Sequence, residues 1–320
     1  MGDGTVMRLN RKAISVEMAQ AKIASYIRSG SIERVGIMDS IGRRLADEIV
    51  ATHPIPHFRR SGMDGFAVRS EDTIGASHDE PVLLKVIENV PCGVVPKKNV
   101  EQGTCSRIMT GASVPEGADS VIMLEMTDTV EKDGTVYTAV KKETQSGDNI
   151  TPIAMELTAD TLLMKKGRKV NAGEVALLAT FGYDTVNVFR KPKVAIFATG
   201  SELLSVAEPL QPGKIRNSNS YMLAAQVMAA GGDPHIIDMV TDDIDLAMQK
   251  IMSAFEQVDM VITSGGVSVG DYDILVDIFQ KWDGQLLFNM LAMRPGSPTS
   301  VGVMDGQFLF GLSGNSGESF

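Results

Sequence analysis

Cysteine and histidine are scarce in this chain of 320 residues, with two of the first and four of the second. Cys92 and Cys105 show neither CxxC spacing nor a disulfide framework, so each reads as an inert buried thiol or a reactive one, in a reduced cytoplasmic setting. His53, His57, His78 and His235 form no ligand-spaced pair with a cysteine, which argues against a structural zinc; His235, in a strand-like run, reads as an interior histidine. Positive charge is short as well. The formal net charge of −10 argues against a nucleic-acid backbone as the main partner and leaves small anions to local basic spots. No apolar run approaches the roughly 20 residues of a membrane span. The opening MGDGTVMRLNRK lacks the apolar core of a secretory leader, and Val6 stands where myristoylation at Gly2 needs Ser or Thr.

What is present, 43% hydrophobic and 22% charged residues, is ordinary globular composition. Residues 13–29 place Ile14, Met18, Ile23 and Ile27 near helical spacing, which predicts an opening amphipathic helix with that stripe in the core. From 50 to 144 the texture becomes short Val-, Ile- and Thr-rich runs broken by Gly, Pro and Asp, a β-rich module. Residues 145–185 return to mixed character, with the run Thr161 to Met164 and a helix over Ala172 to Thr180. The predicted division is a discontinuous lobe of 1–49 and 145–185, an inserted lobe of 50–144, and a lobe of 186–320. After Lys191-Pro192 a regular alternation follows: strand 193–198, helix 218–230, strand 235–240, helix 244–256, strand 258–263, helix 273–281, strand 285–290. It predicts a doubly wound α/β lobe, so the fold class is α/β plus β, in several lobes.

Parallel strands would bring three acidic or glycine-bearing ends to one edge: Thr199-Gly200-Ser201-Glu202, Thr241-Asp242-Asp243, and Ser264-Gly265-Gly266 running on to Ser268-Val269-Gly270-Asp271 and Asp273. Adjacent glycines let backbone N–H groups converge on an anion, and a helix starting near Asp271 would offer its positive end to phosphate. Each acid could instead cap the helix that follows it. Asp64 before Gly65 and Thr110 before Gly111 read equally well as turn residues.

Several strings together resemble one family. Ser61-Gly62-Met63-Asp64-Gly65-Phe66-Ala67-Val68, Ile108-Met109-Thr110-Gly111-Ala112 and Val114-Pro115-Glu116-Gly117-Ala118-Asp119 come first. Then, in order, come Ala198-Thr199-Gly200-Ser201-Glu202-Leu203, Asn217-Ser218-Asn219, Ser264 to Gly270, and Arg294-Pro295-Gly296-Ser297-Pro298. From about residue 12 onward this is similar to the molybdopterin molybdenumtransferases, the molybdenum-insertion enzymes of molybdenum-cofactor synthesis, related to the C-terminal domain of gephyrin.

The resemblance implies an α/β lobe similar to molybdopterin adenylyltransferases, and a cytoplasmic homodimer whose cleft pairs that lobe of one subunit with the β lobe of the other. Asp64 and Thr110 would then act in trans. It implies adenylylated molybdopterin and molybdate as substrates and AMP as a product. The adenylyltransferase, molybdoenzymes and their chaperones become expected partners. Because the ligands are anionic, acids in the cleft imply a divalent cation, and oxygen ligands imply magnesium. Glu202, Asp242 and Asp273 would orient it, with Asp243 the alternate to Asp242. Thr199, Gly200, Ser201, Asn217, Ser218, Ser264, Gly265, Gly266, Ser268, Gly270, Arg294, Pro295 and Gly296 are the implied substrate contacts, Arg294 as a fixed charge for molybdate or phosphate.

Some positions depart from the family's usual text. Met290 stands where a lysine commonly precedes the Arg-Pro-Gly segment, and Ser297 occupies a second basic position. Glu156, in Ala154-Met155-Glu156-Leu157, aligns with a functional aspartate of Gly-Glu-Asp-Ile. Leu312-Ser313-Gly314-Asn315-Ser316-Gly317 resembles Leu-Pro-Gly-Asn-Pro with serine for both prolines. The final helix of the α/β lobe and a C-terminal β lobe are expected to be missing, which would expose apolar surface. These departures raise a second function, a molybdopterin-binding scaffold dimer impaired in insertion. A third is an adenylyltransferase acting one step earlier, which the Asp64 and Thr110 strings disfavour.

Overall fold

The computed structural model describes residues 12–240, 244–265, 278 and 283–319. In chain order its main strands begin with β1 (Ile32–Gly36), β2 (Gly65–Val68), β3 (Val82–Val90), β4 (Thr104–Ile108), β5 (Ser120–Met123), β6 (Thr127–Lys132) and β7 (Thr135–Val140). They continue with β8 (Thr185–Phe189), β9 (Lys193–Thr199), β10 (Asp233–Val240), β11 (Met260–Ser264), β12 (Gln285–Phe288), β13 (Ser300–Met304) and β14 (Gln307–Leu312). The helices are α1 (Val16–Ala24), α2 (Ala172–Thr180), α3 (Asn219–Ala230), α4 (Ile244–Phe255) and the short α5 (Ser316–Ser319). Two compact units result. One holds the chain up to Ala46, Lys169–Asn171 and everything from Thr185; the other holds Asp47–Arg168 and Ala172–Asp184.

The first unit is built on a six-stranded sheet in the order β10-β9-β11-β14-β13-β12. β10, β9, β11 and β14 run parallel, whereas β14, β13 and β12 are mutually antiparallel neighbours. Successive side chains of β9 point to opposite faces. Val194 and Ile196 meet Leu223, Met222 and Val227 of α3, and Ala195 and Phe197 meet Ala247, Ile251 and Phe255 of α4. A strand apolar from Val194 to Ala198 is thus covered on both sides, as the sequence alternation predicts. The segment 285–290 was expected to extend that alternation. Instead β12 ends at Phe288 and joins antiparallel through β13, because β13 and β14 form a hairpin over Asp305-Gly306, two residues at positive φ that match the right-handed strand twist. The expected helix over 273–281 lies outside the described residues, Ile278 excepted.

Ser15 caps α1, its hydroxyl accepting from the Met18 N–H at 3.2 Å. Ala19 and Ile23, four apart, put one face onto Leu287, Phe288 and Leu291. The predicted stripe needs correction: Met18 is 53% exposed and Ile27 66%. Met18 lies one residue, or roughly 100°, from the Ala19 face, and the helix stops at Ala24, where the Ser25 hydroxyl turns back onto the Lys22 carbonyl. His235 is corrected too. It is half-exposed on β10, which has no neighbour beyond it among the described strands, and its Nε2 lies 3.2 Å from Asp233 Oδ2.

The second unit carries a six-stranded sheet in the order β5-β2-β4-β3-β7-β6. Only β3 and β4 are parallel. All of β2 is buried: Phe66 and Val68 pack with Leu84, Cys105 and Ile122, while Ala67 faces Val90, Ile108 and Val121. Residues 172–180 form α2, as the sequence predicts.

Candidate active site

Asp64 stands in the turn that enters β2. The Ser61 hydroxyl donates to the Met63 carbonyl at 2.6 Å, and the Leu124 N–H donates to the Asp64 carbonyl, fixing the turn at both ends. Gly65 is required by close approach, since a Cβ there would lie 1.8 Å from the Ile122 carbonyl oxygen of β5. The Asp64 Oδ1 accepts two hydrogen bonds from Thr110, from its N–H at 2.6 Å and from its hydroxyl at 2.7 Å. Those bonds hold the Asp64 carboxyl below the ordinary aspartate range, against a small desolvation effect and with help from Arg107. Thr110 is itself anchored. Its carbonyl accepts from the Cys92 thiol at 2.9 Å, and the Gly111 N–H donates to the Ser61 carbonyl at 2.7 Å. The result is an exposed, ionised carboxylate with one oxygen satisfied and Oδ2 taking no hydrogen bond from the described residues.

Of the two cysteines, Cys92 is exposed at this clasp, and burial pushes the Cys105 thiol up to about 12, which leaves it inert. Glu156, in the same unit, is ion-paired with Arg60.

The other unit gathers the carboxyl ends of β9, β11 and β14. Gly265 has φ +93, and a Cβ on it would lie 2.5 Å from the Thr199 carbonyl oxygen. The Thr199 hydroxyl donates to the Ser264 carbonyl at 3.4 Å, and the Gly265 N–H donates to the Leu312 carbonyl at 3.1 Å. That amide is therefore engaged within the sheet. Asn217, which is buried, holds the first turn of α3: its Oδ1 accepts from the Ser220 N–H and its Nδ2 donates to the Ser220 hydroxyl. Ser201, Glu202 and Ser218 are exposed. The Glu202 carboxylate turns back over Gly200, within 2.6 Å of where a side chain there would begin, and Lys214 donates to the Ser201 carbonyl.

A third feature of this unit is a cavity of about 280 Å³ lined by Ala13, residues 290–294 and Ser297. Arg294 is the cation among its lining residues, and Met290 also lines it. The Ser297 hydroxyl donates to the Met293 carbonyl at 2.5 Å, closing the turn through Pro295 and Gly296.

Asp242, Asp243, Gly266, Ser268, Gly270 and Asp273 lie outside the described residues. Among the described residues no three His, Cys, Asp or Glu side chains are grouped to hold a metal ion. Glu202 is the one described member of the expected metal set. Its carboxylate, exposed at the strand edge, is a hard oxygen donor of the kind that Mg2+ or Ca2+ takes.

Residues 14–182 match the family described as "MoeA N-terminal region (domain I and II)", and residues 195–320 match "Probable molybdopterin binding domain". The chain is 45% identical over 95% of its length to the molybdopterin molybdenumtransferase of Bacillus subtilis, covering 71% of that protein. The chain belongs to the molybdopterin molybdenumtransferase family. A member from Staphylococcus aureus (strain MSSA476) is 43% identical over 97% of the chain, with 73% of the relative covered. A crystal structure titled as the molybdopterin biosynthesis moea protein from Pyrococcus horikosii superposes with a TM-score of 0.83 at 34% identity, covering 95% of this chain and 75% of that one.

Within this family fold, the described structure brings Asp64 and Thr110 together, and separately Thr199, Ser264 and Gly265. Asn219, Lys214 and Cys92 were missed by sequence reasoning. Asn219 had a signal, its place in the Asn217-Ser218-Asn219 string, but Cys92 had none, because nothing in the sequence pairs position 92 with position 110.

Proposed function

We propose that this chain takes adenylylated molybdopterin and molybdate, cleaves the pyrophosphate-type bond, places molybdenum at the dithiolene, releases AMP and so forms molybdenum cofactor. The observation that carries the proposal is the 45% identity over 95% of the chain to a relative named for that transfer. The geometry supports it in two ways. An ionised, pre-oriented Asp64 gives a fixed negative charge that needs no reorganisation during reaction. Arg294, exposed among the lining residues of that open pocket, gives a permanent positive charge for an oxyanion.

Gly266, Ser268 and Gly270 supply donors to the phosphate end, while Ser264 and Gly265 shape the edge that presents them. Thr199, Gly200 and Ser201 border that edge, with Ser218 and the turn at Pro295 and Gly296. Magnesium would be held by Glu202, Asp242 or Asp243, and Asp273, and would offset the mutual repulsion of acids and phosphate oxygens. Asn217 serves the site by fixing the start of α3. Glu156, paired with Arg60, steadies the loop that precedes Asp64.

The working form in this proposal is a cytoplasmic homodimer in which Asp64 and Thr110 of one copy complete the site of the other. The three-lobed division into 1–49 with 145–185, 50–144 and 186–320 belongs to the same reading. The second reading, a molybdopterin-binding scaffold, is favoured by Met290, which leaves Arg294 as the cation of its cavity.

Incubation with adenylylated molybdopterin, molybdate and magnesium tests the proposal. Molybdate-dependent AMP release supports insertion, and binding without AMP release supports the scaffold. ATP consumption with unadenylylated molybdopterin would instead mark an adenylyltransferase.

A further inference from the structure

Asn219 is the first residue of α3, one position past the N-cap Ser218, whose side chain makes no capping bond. Capping falls instead to Asn217, whose Oδ1 takes the Ser220 N–H. The Asn219 amide points elsewhere. Its Nδ2 donates to the Ser264 hydroxyl at 2.7 Å and to the Gly314 carbonyl at 2.8 Å, so both hydrogens of one amide group are engaged. Ser264 terminates β11 and Gly314 follows β14, which places the two acceptors on the ends of separate strand segments at the same sheet edge.

The chain of bonds continues. The Ser264 hydroxyl donates to the Ser313 carbonyl at 3.3 Å, which also accepts from the Ser319 hydroxyl at 2.6 Å. Gly265 and Gly314 pack closely enough that a Cβ on Gly314 would lie 3.4 Å from the Gly265 Cα. Small residues let the turns after β9, β11 and β14 converge, but small residues alone do not hold them there. A side chain donating to two of those turns does, and linked hydrogen bonds of this kind reinforce one another.

We infer that Asn219 is a positioning residue: it locks the turns after β11 and β14 into one ligand-receiving edge, and so sets the affinity for molybdopterin without touching the reacting atoms. The inference rests on the proposed function for the ligand, though not for the tie itself. Asn219→Ala removes both donors; Asn219→Asp keeps the shape and sets an acceptor against the Gly314 carbonyl.

Both variants of the full chain are compared with the parent by thermal melting, by hydrogen exchange over the peptides that end β11 and β14, and by steady-state AMP release. Expected are melting temperatures within about 2 °C of the parent and exchange faster on the order of 10-fold in those two turns alone. KM for adenylylated molybdopterin should rise on the order of 10-fold with kcat changed by less than about twofold. Unchanged exchange in the two turns, or an unchanged KM alongside faster exchange, overturns the inference. A large fall in melting temperature in both variants also overturns it, because the residue would then serve the fold at large. Should the parent release no AMP, the proposed function fails, while the exchange arm still judges the tie.

Discussion

Asp64 and Thr110 form a clasp whose chemistry follows from donor and acceptor counts. Two donors converge on one carboxylate oxygen, which favours the ionised form and leaves the second oxygen outward. Replacing Thr110 by Val removes the hydroxyl donor and keeps the N–H, so the Asp64 carboxyl should move part of the way back to the ordinary range. The sign follows from a depressed folded-state pKa. The pair's contribution is present above the unfolded value and is lost as pH falls through the folded one, so in Thr110→Val that loss comes at higher pH. Carbon-detected NMR titration of Asp64 in both proteins measures the shift, and an identical curve would contradict the clasp. The sequence named both residues, through a resemblance, while local propensity offered only two turns; the bond between them needed β2 and β4 to be neighbours. No pattern announces Thr138. Its side chain is fully buried on β7 and its hydroxyl has no hydrogen-bond partner among the described residues. An unmet buried hydroxyl is costly, so Thr138→Val should raise unfolding free energy by about 1 kcal/mol. Urea titration reads this directly, and a loss of stability would mean that the hydroxyl is satisfied in solution.

β11 carries much of the first unit, and its entry is fixed by one carboxylate. Asp259 accepts from Arg190 Nη2 at 2.7 and 2.9 Å and from the Lys193 N–H at 2.7 Å, joining the start of β11 to the start of β9. Burial works against its charge, but the Arg190 and Lys193 interactions outweigh that and keep its pKa below the usual value. Asp259→Asn should therefore be less stable than the parent near neutral pH, by about 1–2 kcal/mol once solvent screening is allowed for. The difference should shrink as pH falls below the unfolded aspartate value of about 3.9 and on through the lower folded value. Denaturant midpoints between neutral and acidic pH check it, and a gap that stays constant with pH would assign the effect to packing. Strands and helices of the parallel region were legible because continuous apolar runs, buried on both faces, alternate there with amphipathic runs of period 3.6. β13 and β14 were not, although Asp305-Gly306 is a strong hairpin signal, because an antiparallel addition breaks the alternation being followed. Burial of α1 was misread for a related reason: the register of its face depends on Leu287 and Leu291, some 270 residues away.

Across the whole molecule, charge poses the problem the fold must solve. A chain of net charge −10 is proposed to hold molybdate, a pterin phosphate and an adenylate, all anionic, which demands local cations against a repelling background. Arg294 is one such cation, and the proposed magnesium is another. Sequence gave these groups an order along the chain but no distances, and Asp64 and Glu202 fall in different compact units. The proposed homodimer supplies Asp64 to each site from one copy and Glu202 from the other, and this has an arithmetical consequence. Asp64→Asn and Glu202→Gln should each lower insertion on the order of 100-fold. Unfolded together in equal amounts and refolded, they should form heterodimers as about half of all dimers, each with one site carrying both changes and one carrying neither. That restores about a quarter of the parent's sites, and so about a quarter of its activity. If both groups served a site from the same copy, every site in the mixture would still hold one defect, and mixing would restore nothing. Sedimentation of the refolded mixture as a dimer must accompany the assay, and a parent protein fully active as a monomer would remove the shared site altogether.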